Sequence, residues 1–131
     1  MIEVEARGDG TGPLVTRLVW ACGRLGVERA TMGLMVVDAG EMAAINAEHR
    51  DVPEPTDVLA FPVDGPEATG WPLDGPPPEL GDVVICPAAA QDPLETLAVH
   101  GLLHLLGYDH EADDGEMLAL QDLLVAEAPP A

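Results

Sequence analysis

The sequence predicts an α/β (α+β) fold: a small mixed four-stranded sheet packed with helices in a single domain, residues 1–131. Three observations predict it. Short apolar or alternating runs bounded by turn residues recur four times. Stretches with apolar residues at helical spacing lie between and after them, so strands and helices interleave. The chain has 131 residues, is 47% hydrophobic and carries no internal repeat, which suits one core.

The first run, "MIEVEA", alternates apolar and acidic residues and reads as a half-buried strand. "GDGTG" then turns the chain. Leu14, Val15, Leu18, Val19, Cys22 and Leu25 follow at helical spacing, with Pro13 suited to a first turn and Gly26 to a stop. "TMGLMVVD", residues 31–38, is mostly apolar and reads as a strand covered on both faces. Residues 40–49 read as a short helix with Met42, Ile45 and His49 on related faces, broken by "DVPEPT". "DVLAF", residues 57–61, is the third strand, and Pro62 ends it. Residues 62–80 are so rich in Pro and Gly that a long, mobile surface loop is expected. "GDVVIC", residues 81–86, is the fourth strand, with Gly81 and Asp82 read as turn residues. A helix is expected over 94–106, with Asp92 as N-cap, Pro93 at its first position and Gly107 as stop. The last helix, 114–126, should bury Met117, Leu120 and Leu124, and 127–131 should fray.

Charge narrows the function. Five arginines and no lysine face 24 carboxylates, a net charge of −19. Such a surface repels nucleic acid at long range and, by itself, argues against a nucleic-acid partner. No apolar run approaches the ~20 residues of a membrane span, so no membrane association is expected. "MIEVEARGDG" lacks a basic and then apolar leader, and Cys22 and Cys86 stand apart without metal-type spacing. The expectation is a cytoplasmic protein with reduced, buried cysteines.

The chemistry concentrates in "LAVHGLLHLLGYDHEADD", residues 97–114, which holds three of the four histidines. His100 and His104 are four apart on a helix, which puts their Cβ atoms about 5–6 Å apart on one face. Gly107 stops the helix, and His110 arrives just past the turn. Three imidazoles can hold a zinc ion and leave a position open, the pattern of a catalytic site. The bland alternative is core or surface histidine. An apolar setting disfavours it, because burying imidazoles without partners is costly. The spacing matches the later part of the metzincin pattern H-E-x-x-H-x-x-G-x-x-H, but Gly101 stands where those peptidases keep their general-base glutamate. Asp109 is placed to orient a ligand histidine or help activate water, or else to cap the turn.

"HGLLHLLGYDH", residues 100–110, resembles the signature of the YbeY family of metal-dependent bacterial endoribonucleases. "INAEHRDVPEPTDVLAFP", residues 45–62, resembles that family's asparagine-plus-arginine segment and following strand, and "LGDVVIC", residues 80–86, another of its strands. The resemblance runs from about residue 31 to residue 125. It implies that His100, His104 and His110 bind one Zn²⁺ and that Arg50 is functionally important. It also implies single-stranded RNA as substrate, a role in maturing the 3′ end of small-subunit ribosomal RNA, and ribosomal proteins and an Era-type GTPase as partners. Arg50 is the only Arg or Lys after residue 29, and a guanidinium can pair two phosphate oxygens. The ordinary alternative is a surface arginine paired with Glu48 or Asp51. Asn46 is read as bonding either substrate or backbone, His49 as stacking or packing rather than ligating, and Gly101 as letting another element pack close. The stretch "PAAAQDPLETLAV" before His100 is shorter than the family's by several helical turns, which is expected to reshape one wall of the cleft.

Overall fold

A computed structural model describes residues 1–127. Strand β1 (Ile2–Arg7) leads to helix α1 (Thr11–Arg24), β2 (Ala30–Val36), α2 (Ala39–Arg50), β3 (Val58–Pro62), β4 (Glu79–Ile85), α3 (Leu94–Leu105) and α4 (Glu116–Glu127). The strands form one sheet in the order β1-β2-β4-β3, parallel between β1, β2 and β4, with β3 antiparallel on the edge. The mixed four-stranded sheet is the one expected. The expected tail lies outside the described residues except Glu127, which ends α4 and pairs with Arg24.

The sheet separates two apolar layers. On one face, Leu14, Leu18 and Cys22 of α1 and Leu97, Ala98, Leu102 and Leu105 of α3 pack on Met32, Leu34, Val83 and Ile85. On the other face, Met42 of α2 packs with Val37, Leu59, Val84 and Cys86. Alternating residues of β4 thus serve opposite layers, as the pleat requires. A third cluster joins Val99 and Leu103 of α3 to Met117 and Leu124 of α4. Cys22 and Cys86 are buried free thiols in different layers, and burial raises the Cys22 pKa to about 12.

Two expectations need correction. Gly81 and Asp82 are not a turn before the fourth strand but lie inside it. The β2–β4 register shifts between Thr31 and Gly33, so β4 carries one extra residue there, and Gly81 takes φ +133. This bulge puts Leu80 and Val83 on the same layer although they are three apart. Asp92 does not cap α3: Pro93 is the N-cap, with φ −55 and ψ 144, and has no side-chain cap bond. Asp92 instead borders the cleft described below. The 62–80 segment is exposed over most of its length, as a surface loop should be, and it is anchored at several points. Val63 and Asp64 donate to the carbonyls of Leu80 and Glu79, the Asp64 carboxylate accepts from Glu79 N at 3.0 Å, and Arg29 holds the carbonyls of Leu73 and Gly75. Gly65 and Ala68 are buried.

Candidate metal centre

Helix α3 is apolar nearly all round because it is covered on two sides. One side meets the sheet and α1, the other meets α4. The stripe left open, Thr96, His100 and His104, lines a cleft of about 580 Å³. Gly101 sits beside that stripe. A Cβ there would stand 2.6 Å from Val83 Cγ1, so its missing side chain lets α3 lie close on β4.

The helix stops as expected. Gly107 takes φ +99, its N–H donates to His104 O at 3.1 Å, and Tyr108 N donates to Leu103 O at 3.0 Å, a Schellman end. The chain then folds back through a turn in which Asp109 Oδ1 accepts from Glu111 N at 2.9 Å. Half of the Asp109 carboxylate is therefore committed to the turn that delivers His110, while the residue still lines the cleft.

The three imidazoles converge. Ring centroids are 4.7 Å apart for His100 and His104, 5.3 Å for His100 and His110, and 5.4 Å for His104 and His110. One nitrogen from each lies within 4.8 Å of the others. His100 Nε2 and His104 Nε2 are 3.1 Å apart. Two nitrogens bound to zinc at ~2.0–2.1 Å with tetrahedral angles sit roughly 3.3 Å apart, so this donor set fits such an ion. Burial lowers the His104 pKa, and the neighbouring His100 and His110 lower it further against the opposing pull of the Tyr108 carbonyl and Asp109. That favours the neutral imidazole that a metal requires.

Arg50 ends α2 and lines the same cleft, as do Thr56 and Asp57 just before β3. Among the described residues the one salt bridge is Arg24–Glu127, so Arg50 is not paired with Glu48 or Asp51. His49 packs on Phe61 with ring centroids 4.7 Å apart and planes tilted by 50°, in line with its reading as a stacking or packing residue. Asn46 is buried and donates to Glu54 O at 2.9 Å, so it serves the backbone of the connection to β3. Asp57, Asp92, Asp109 and Glu111 also line the cleft, an acidic wall that attracts cations and makes Arg50 its positive point.

A family model described as Endoribonuclease YbeY matches residues 19–128. The chain belongs to the YbeY family. Curated relatives named Endoribonuclease YbeY include one from Acidothermus cellulolyticus, 46% identical over 113 residues, covering 73% of this chain and 69% of that protein. The one from Micrococcus luteus is 45% identical over 118 residues, 76% of this chain and 71% of the relative. The Mycobacterium tuberculosis relative is 41% identical over 114 residues, 75% of this chain and 64% of the relative. A solution structure of a Thermotoga maritima protein superposes with a TM-score of 0.62 at 26% identity, covering 97% of this chain and 88% of that one. Within this YbeY chain the sequence reading missed Gln121, whose amide oxygen meets His100 Nδ1 at 2.7 Å. A polar residue on the inward stripe with Met117 and Leu124 was the available signal.

Proposed function

We propose that this chain is a zinc-dependent endoribonuclease that cuts single-stranded RNA. Its setting would be the cytoplasm, in maturation of the small-subunit ribosomal RNA 3′ end and in ribosome quality control, with ribosomal proteins and an Era-type GTPase as partners. The observation that carries the reading is one cleft into which three converging imidazoles and Arg50 all open, in a member of the YbeY family. His100, His104 and His110 would hold the ion. An all-imidazole set suits zinc and the neighbouring transition metals. Bound there, zinc supplies Lewis acidity and an acidified water near neutral pH.

The chain's own groups do the rest. Arg50 grips the scissile phosphate through two oxygens and offsets the charge that grows on it. Asp109 commits one carboxylate oxygen to its turn and leaves the other for proton handling or a ligand histidine. Thr96 lies one helical turn before His100 and offers a hydroxyl at the cleft wall. The acidic lining excludes an unneutralised RNA strand, so substrate entry depends on a bound cation and on Arg50.

A second reading is favoured by the charge of −19: a non-catalytic, zinc-stabilised assembly factor that meets basic ribosomal proteins. One experiment separates these and a peptidase. Purified protein is incubated with single-stranded RNA and with casein, with and without zinc, beside His104→Ala. The nuclease reading expects zinc-dependent RNA cleavage that His104→Ala lowers by more than the ~10–100-fold typical of losing only an outer-shell partner. RNA cleavage that survives the substitution sinks it. Casein cleavage alone favours the peptidase, and zinc binding without turnover favours the assembly factor.

A further inference from the structure

We propose that Gln121 is a positioning residue of the metal centre: its side-chain carbonyl accepts the Nδ1–H of His100 and so presents Nε2 to the ion. The inference rests on the reading of the three histidines as metal ligands. Gln121 lies on α4, four residues after Met117 and three before Leu124, both buried against α3. The fold therefore turns a polar side chain inward on an otherwise apolar stripe, where it is half-buried at the cleft wall. Its Oε1 is 2.7 Å from His100 Nδ1. A carbonyl oxygen can only accept, so Nδ1 carries the proton and Nε2 keeps its lone pair.

The same logic applies independently to His104, whose Nδ1 is 3.1 Å from the carbonyl of Tyr108. Both rings are thereby set in the same tautomer, with two Nε2 lone pairs facing each other across 3.1 Å. Two facing acceptors repel unless a cation lies against both. The Tyr108 carbonyl follows from the helix end, but the partner of His100 is a side chain from a different helix. Helix α4 is thus joined to the site through one amide. Ligand histidines elsewhere hold their second nitrogen on a carboxylate or carbonyl in the same manner, and losing that partner weakens binding.

The test uses zinc and cobalt titrations of the wild type, Gln121→Met and Gln121→Glu. Thermal unfolding of the metal-free forms controls for folding. Methionine keeps the volume and helix preference but accepts no such bond, whereas glutamate accepts it. Gln121→Met is expected to bind about 10–100-fold more weakly, and Gln121→Glu at least as tightly as wild type. In zinc-loaded protein the His100 Nδ1–H should give a slowly exchanging proton resonance in wild type and Gln121→Glu, lost in Gln121→Met. Equal affinity in wild type and Gln121→Met overturns the proposal and leaves the metal centre standing. Equal weakening in both variants also overturns it, because packing is then all that the residue supplies. A wild type that binds no metal overturns the metal-centre reading and this proposal together.

Discussion

A methyl group at position 101 would meet Val83 Cγ1 at 2.6 Å and Cγ2 at 3.0 Å. The glutamate that a metzincin keeps at this place therefore has no room here unless α3 lifts from the sheet. The departure from the peptidase pattern is a matter of packing as well as of lost chemistry. Gly101→Ala should cost roughly 1–3 kcal/mol through overpacking, seen as a lower midpoint in denaturant unfolding. Gly101→Glu should destabilise further without conferring casein cleavage. Arg50 differs from Gly101 in being exposed, unpaired among the described residues and free of much packing. Arg50→Lys keeps the charge but loses the planar fork, so RNA cleavage should fall by about 10²-fold while zinc affinity and stability hold. Metal affinity falling in step with activity would place Arg50 in the ion site instead.

Helix α3 was legible because its chemistry and its boundaries share the same letters: apolar residues all round, two histidines four apart, and Gly107 at the stop. Its start at Leu94 was legible too, but its cap was misread: Asp92 followed by Pro93 imitates a cap and first turn, whereas Pro93, lacking an N–H, can itself stand at the cap. Strand β4 was read short for a related reason. Gly81–Asp82 has turn composition, but a bulge needs the same residues, and only the neighbouring strands decide between the two. Gln121 stayed hidden because its place on the stripe of Met117 and Leu124 marks an inward polar group but does not say that His100 of α3 will meet it. Helix α2 carries its own start signal, with Asp38 accepting from Glu41 N at 2.8 Å. Asp38→Ala should cost about 0.5–2 kcal/mol of stability. Because that cap lies at the opposite end of α2 from Arg50, zinc affinity should not change, a contrast that paired melting and titration measurements will reveal.

At the scale of the whole chain, acidity and the histidine cluster act on one another. His104 has its pKa lowered from 6.5, first by burial and then by its imidazole neighbours. The unfolded chain therefore takes up a proton before the folded one does. This contribution to stability is full above about pH 6.5 and is lost as pH falls through the lower folded value. Denaturant unfolding of the metal-free protein should show stability declining below that pH, with a shallower slope in His104→Ala. The three histidines also differ in how the fold holds them. His100 and His104 are fixed by a helix buried on two sides, while His110 rides on the segment 106–115 between α3 and α4. An ion bridging all three would pin that segment, and the entropy of ordering it offsets part of the binding free energy. Backbone amides of 108–113 should then exchange with deuterium more slowly once zinc is added, while those inside α3 barely change. Zinc supply would in that case set how firmly the rim of the cleft is closed down, in a domain whose core never registers the difference.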